Sequence, residues 1–74
     1  MIKFTFQNLT ESVKSLGIEP WAQELMVAPG ETIIFECDDS ADLSFALTDD
    51  GGATIGIMCE VLDVVRQGLT TKIA

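Results

Sequence analysis

The sequence predicts an α+β fold: one small domain with an antiparallel sheet of four or five strands, its apolar face covered by a single amphipathic helix near residues 57–67. Three observations predict it. Apolar residues alternate with polar ones in Ile2–Phe6 and in Leu43–Thr48, the two-residue period of a half-buried strand. Pro29-Gly30 and Asp49-Asp50-Gly51-Gly52 are turn signals, because Pro presets φ while Gly and Asp tolerate positive φ. From Ile57 onward the period changes, and Ile57, Met58, Val61, Leu62, Val64 and Val65 fall in one arc at about 100° per residue. The alternative is an all-β sandwich or barrel in which residues 53–66 form a strand, favoured by the valines at 61, 64 and 65.

Each element follows in order. Ile2, Phe4 and Phe6 share one face of a first strand. Asn8–Gly17 predicts a short helix, capped by Asn8 or Thr10, with Leu9, Val13 and Leu16 on one side and Gly17 at its end. Glu19–Val27 is ambiguous, since Pro20 suits a first helical position, but a strand from about residue 24 fits the turn that follows. Thr32–Cys37 is rich in β-formers and completes a strand–turn–strand unit. Leu43, Phe45 and Leu47 give another strand, ended by the Asp-Gly cluster. The predicted helix then closes with Arg66 in its last turn and Gly68 as its cap, and Leu69–Ile73 can supply a final strand.

The chain has 74 residues, of which 47% are hydrophobic, so it is expected to pack a core and to leave some apolar surface uncovered. A homo-oligomer is the expected consequence. The formal charge of −8 argues against direct binding to nucleic-acid phosphates or to anionic membranes, because like charges repel. That charge is not evenly spread. Eleven acids and no base lie from Glu19 to Asp63, while Lys3, Lys14, Arg66 and Lys72 all lie in the terminal pieces. Three readings of this layout stand: a solvated surface that keeps an apolar protein in solution, a docking surface for a basic protein, and an acidic mimic of a nucleic-acid backbone that blocks a basic groove. The candidate partner-binding residues are Trp21, Asp38, Asp39, Asp42, Asp49 and Asp50. Trp21 equally serves as core, since so small a core needs its largest side chain.

Several chemistries are weakly supported. Asp38, Ser40, Asp42 and Asp49 fall at positions one, three, five and twelve of a calcium-loop template, but Leu43 replaces its glycine and Asp49 its bidentate glutamate. No metal or cofactor is therefore expected. The chain has no histidine and no tyrosine, and a cysteine nucleophile among these acids would have a raised pKa, so no catalytic residue is assigned and no enzyme is expected. Cys37 and Cys59 read as buried apolar residues; a disulfide between them is the less favoured option, as no secretion signal precedes them. The first residues alternate instead of forming an apolar targeting segment, which makes the expected location cytoplasmic. Leu25–Phe35 resembles the strand–Pro-Gly–strand entry common in small β-sandwiches, including copper-binding ones, although the histidine ligands those proteins use are missing here. The functional expectation is a non-enzymatic, self-associating protein-interaction module.

Overall fold

The computed structural model describes residues 1–74 and holds eight strands and no helix. They are β1 Ile2–Gln7, β2 Lys14–Glu19, β3 Gln23–Val27, β4 Thr32–Cys37, β5 Asp42–Leu47, β6 Ala53–Met58, β7 Leu62–Arg66 and β8 Leu69–Lys72. Two four-stranded sheets form, one in the order β1-β4-β7-β8 and the other in the order β3-β2-β6-β5. Every neighbouring pair is antiparallel except β2 and β6, which run parallel with Ile18 opposite Ile55. The fold is a β-sandwich. The chain crosses between sheets after β1, β3, β4 and β6, so each sheet is assembled from strands distant in sequence.

The α+β expectation is thus overturned, and the all-β alternative is the architecture observed. The reason lies in the turn at Cys59–Val61, which separates β6 from β7. Ile55 and Ile57 point inward from β6, whereas Leu62 and Val64 point inward from β7, so the inward set changes parity across the turn. The helical arc had joined the inward Ile57, Leu62 and Val64 to apolar residues that face elsewhere, Met58 exposed at the end of β6, Val61 in the turn and Val65 on the outer face of β7. The β-branched side chains break the tie, because they sit at lower cost on a pleated strand than against a preceding helical turn. Residues 53–66 are accordingly two strands, not one.

The short helix expected over Asn8–Gly17 is also absent. Of the expected apolar face only Leu16 is buried, as part of β2, while Leu9 is 82% and Val13 53% exposed. Asn8 turns the chain instead. Its Oδ1 accepts from Thr10 N at 3.0 Å and from Thr10 Oγ1 at 2.7 Å, a local bond that competes with helix formation. Residues from Lys14 to Glu19 then form β2, and Pro20 follows a cis peptide in the β2–β3 turn where a helix start was considered.

The core comes from the inner faces of β2, β3, β4, β6 and β7: Leu16, Ile18, Val27, Ile33, Phe35, Cys37, Ile55, Ile57, Leu62 and Val64. Phe4 stacks on Phe35 with ring centroids 4.9 Å apart, carrying the core outward to β1. Of the edge strands only β3 adds a fully buried residue, Val27, and β8 is exposed along its whole length.

Candidate interaction surface

Four strands have a free edge: β1 and β8 in the first sheet, β3 and β5 in the second. An unpaired strand edge offers a row of backbone donors and acceptors to any other chain unless something blunts it. β3 is blunted, since Arg66 Nη2 donates to the Met26 carbonyl and occupies part of that edge. β8 has only four residues. β1 and β5 are each six residues long and contain no proline, and they lie on the same side of the sandwich.

Three observations align β1 and β5 across the gap between the sheets. The amino terminus of Met1 pairs with Asp39 at 2.7 Å, Phe4 meets Phe45 edge-to-face with centroids 6.5 Å apart, and Phe6 and Leu47 line one hollow. The two strands therefore run in the same direction and place Ile2 over Leu43, Phe4 over Phe45 and Phe6 over Leu47. All six side chains point into the sandwich, as their partners Cys37, Phe35 and Ile33 on β4 and Ile57, Ile55 and Ala53 on β6 require. The gap is nonetheless open. Phe45 is 66% exposed and Leu47 90% exposed, although alternation assigns both to the interior. Sequence alternation correctly put Leu43, Phe45 and Leu47 on one face, but it carries no signal that nothing covers them.

The charges sort by sheet. On the outer face of the first sheet, Lys3, Glu36, Asp63 and Lys72 are successive cross-strand partners, with the two bases flanking the two acids. Lys3 Nζ lies 3.8 Å from Glu36. The edges of that sheet therefore carry bases, Lys3 on β1 and Lys72 on β8, while the edges of the second carry acids, Asp42 on β5 and Glu24 on β3. The outer face of the second sheet is floored by Gly17 and Gly56 and rimmed by Glu19, Glu24 and Asp42, with a shallow cleft of about 230 Å³ beside Glu19 and Asp42.

The candidate acids do not form one site. Asp38, in the β4–β5 loop, is engaged internally: its Oδ1 accepts from Glu60 N at 2.8 Å and Val61 N at 2.9 Å, and its other oxygen accepts from Ser40. The Ser40 hydroxyl, followed by those backbone donors, holds the Asp38 carboxyl well below the usual carboxylate range. Asp39 is occupied by the amino terminus, and Asp42 projects from the start of β5. Asp49 and Asp50 lie at the far end of β5 in its turn to β6. There Asp50 accepts from Thr48 Oγ1, from Gly52 N at 3.0 Å and from Ser15 Oγ at 3.3 Å, which lowers its pKa, the Thr48 hydroxyl first. The calcium-loop spacing therefore spans both ends of a strand, and its first ligand is spent on tying the β4–β5 loop to the β6–β7 turn. Trp21 is half-buried and packs against the core. Both cysteines are free.

Glu31 went unnoticed in the sequence, and Asn8, expected as a helix cap, has a different role. Glu31 forms a bidentate pair with Arg66, and its pKa is lowered to about 2, chiefly by that bond. Asn8 is buried and ties three segments together. The sequence signal for Asn8 was its short polar side chain at a break between two apolar stretches, which suits a turn as well as a helix cap. No helix of the chain is long and apolar enough to cross a membrane. No family model, curated protein or solved structure matches the chain.

Proposed function

We propose that this chain is a non-enzymatic protein-interaction module that self-associates through the open side of its sandwich. One observation carries the reading: Phe45 and Leu47 occupy inward-facing positions of an unpaired edge strand and yet stand 66% and 90% exposed. Apolar side chains on an open strand edge are stabilised by a partner that buries them, at roughly 25 cal/mol per Å² removed from water. The state of the acids supports a binding role over a catalytic one. The shifted carboxylates, Glu31, Asp38 and Asp50, are all shifted downward by hydrogen bonds, so each is held ionised and none is poised as an acid near neutral pH. Sedimentation velocity from about 1 to about 500 μM tests this, a range spanning weak and moderate association. The average mass is expected to rise with concentration, and Phe45→Asp, folded by circular dichroism, is expected to stay monomeric. A wild-type chain that remains a monomer throughout would sink the reading.

A second reading rests on the outer face of the second sheet, where Ser44 and Thr54 lie over Gly56 and Gly17 between Glu19, Glu24 and Asp42. It suits a basic protein segment, whose lysines would reach the carboxylates while its backbone lies over the short Ser44 and Thr54 side chains. Titration with an oligolysine peptide, followed by amide NMR, is expected to move Gly17, Thr54 and Gly56; shifts confined to Asp39 and Asp49 would count against it.

A further inference from the structure

The geometry points to one arrangement of the self-associated form: two copies related by a two-fold axis parallel to the strands, with β1 of each joined to β5 of the other, so that each sheet continues into the partner's opposite sheet. This rests on the self-association reading above and adds which edges meet and in which direction.

Symmetry leaves two ways to close the open side with a copy of itself. Because β1 and β5 run in the same direction, aligned by Met1 with Asp39 and Phe4 with Phe45, a two-fold axis along the strands joins β1 to the partner's β5 in parallel, twice over. An axis perpendicular to the sheets instead joins β1 to β1 and β5 to β5, both antiparallel. Charge separates the two. β5 has Asp38, Asp39 and Asp42 at its start and Asp49 and Asp50 at its end, so pairing it antiparallel with its own copy stacks acid on acid at both ends. Like charges brought together at an interface exclude that partner.

Joining β1 to β5 does the reverse. It sets Lys3, on β1, beside Asp42 at the start of β5 of the other copy. Lys3 and Asp42 become diagonal neighbours on one continuous outer face, within reach of a lysine side chain. Inside, Ile2, Phe4, Phe6, Leu43, Phe45 and Leu47 of each copy face the same six residues across the axis, and the exposed rings of Phe45 are covered from both sides. A parallel pairing is slightly weaker per residue than an antiparallel one. The contact is also short, about 20 Å for six residues of strand, so a micromolar, reversible dimer is expected.

Charge exchange tests the pairing by sedimentation equilibrium. Lys3→Asp is expected to weaken the dimer about tenfold, two exposed pairs being lost per dimer. Adding Asp42→Lys is expected to restore it to within about threefold. Adding Glu24→Lys instead restores the same net charge at the distant β3 edge and is expected to leave the dimer weak. A second readout is independent of charge: Thr5→Cys and Ala46→Cys chains, on outward positions of β1 and β5 at the same level, are expected to form a disulfide with each other on mild oxidation with oxidised glutathione. Restoration by both charge partners alike, or cross-linking of each variant only with itself, would overturn this arrangement while leaving self-association intact. A wild-type monomer would remove both.

Discussion

Arg66, at the end of β7, grips Glu31, just before β4, in a two-pronged pair: Nε donates to Oε2 at 2.7 Å and Nη2 to Oε1 at 2.9 Å, across thirty-five positions of sequence. Glu31 also accepts from Ala28 N at 3.0 Å, so one carboxylate closes the β3–β4 turn and ties it to the opposite end of the chain. Arg66 completes the link by donating to the Met26 carbonyl.

The pair makes stability depend on acid. The folded-state pKa of Glu31 is lowered to about 2 from an ordinary 4.5, so its contribution is fully present above about 4.5 and is lost as pH falls toward 2. Asp38 and Asp50 shift the same way and lose their contributions in the same direction. Thermal unfolding followed from pH 7 to pH 2 is expected to show a steep fall in Tm below about 4.5. In Glu31→Gln the slope of that fall is expected to be shallower; an unchanged slope would show that the pair does not couple to folding.

Asn8 is expected to be the most sensitive polar position. It is 3% exposed, and its Nδ2 donates to the Ser12 and Val27 carbonyls, each at 2.9 Å. Removing the side chain orphans a buried acceptor on β3, which costs about 2 kcal/mol. Asn8→Asp is expected to cost more, because a carboxylate oxygen then faces two carbonyl oxygens. Urea unfolding of Asn8→Ala and Asn8→Asp checks both the size and the order.

Gly52 is required by close approach. A Cβ there would lie 2.5 Å from the Ser15 carbonyl oxygen, and backbone on β2 has little room to yield. Gly52→Ala is expected to destabilise by about 2–3 kcal/mol, as other overpacked sites do. Gly30 offers the contrast, since its added Cβ meets nothing within 4 Å and only its φ of 76° resists substitution. Gly30→Ala is expected to cost about 1 kcal/mol. Equal losses in the two variants would mean that contact with Ser15 is not the constraint.

Both thiols are expected to be sluggish. Burial, followed by the negative charge of Asp38, raises the pKa of Cys37 and of Cys59, which lowers the thiolate fraction at neutral pH. With a neutral alkylating reagent at pH 7.5, Cys59, which is only half-buried, is expected to react before the fully buried Cys37. Each is expected to react at least about tenfold more slowly than in the urea-unfolded chain. Rapid modification of Cys37 in the folded protein would contradict its place in the core.

Much of the β architecture was legible. Ile2–Phe6 and Leu43–Leu47 alternate apolar with polar residues, Thr32–Cys37 is rich in β-formers, and Pro29-Gly30 and Asp50-Gly51 mark their turns, so those strands fall where local chemistry puts them. Residues 53–66 were misread because apolar residues on both faces of β6 and β7 and in the turn between them, Met58, Val61 and Val65 beside Ile57, Leu62 and Val64, fill one helical arc, and only pairing of β6 with β2 and β7 with β4 separates the readings. The candidate acids were visible as a run without bases, but sequence could not divide Asp38, spent on the Glu60 and Val61 amides, from Asp42, free at the edge of β5.

The sequence alone determined the strands Ile2–Phe6, Thr32–Cys37 and Leu43–Leu47, the shared face of Leu43, Phe45 and Leu47 and the gathering of bases toward the chain ends, because these follow from side-chain chemistry and local patterning. The tertiary structure decided what those faces meet. It put β1 and β5 at the same open side, left Phe45 and Leu47 facing inward with nothing over them, and placed bases on the edges of one sheet and acids on the edges of the other. Those outcomes depend on which strands pair across long stretches of chain, and such pairing is settled by the burial of the whole core, which no local stretch of residues contains.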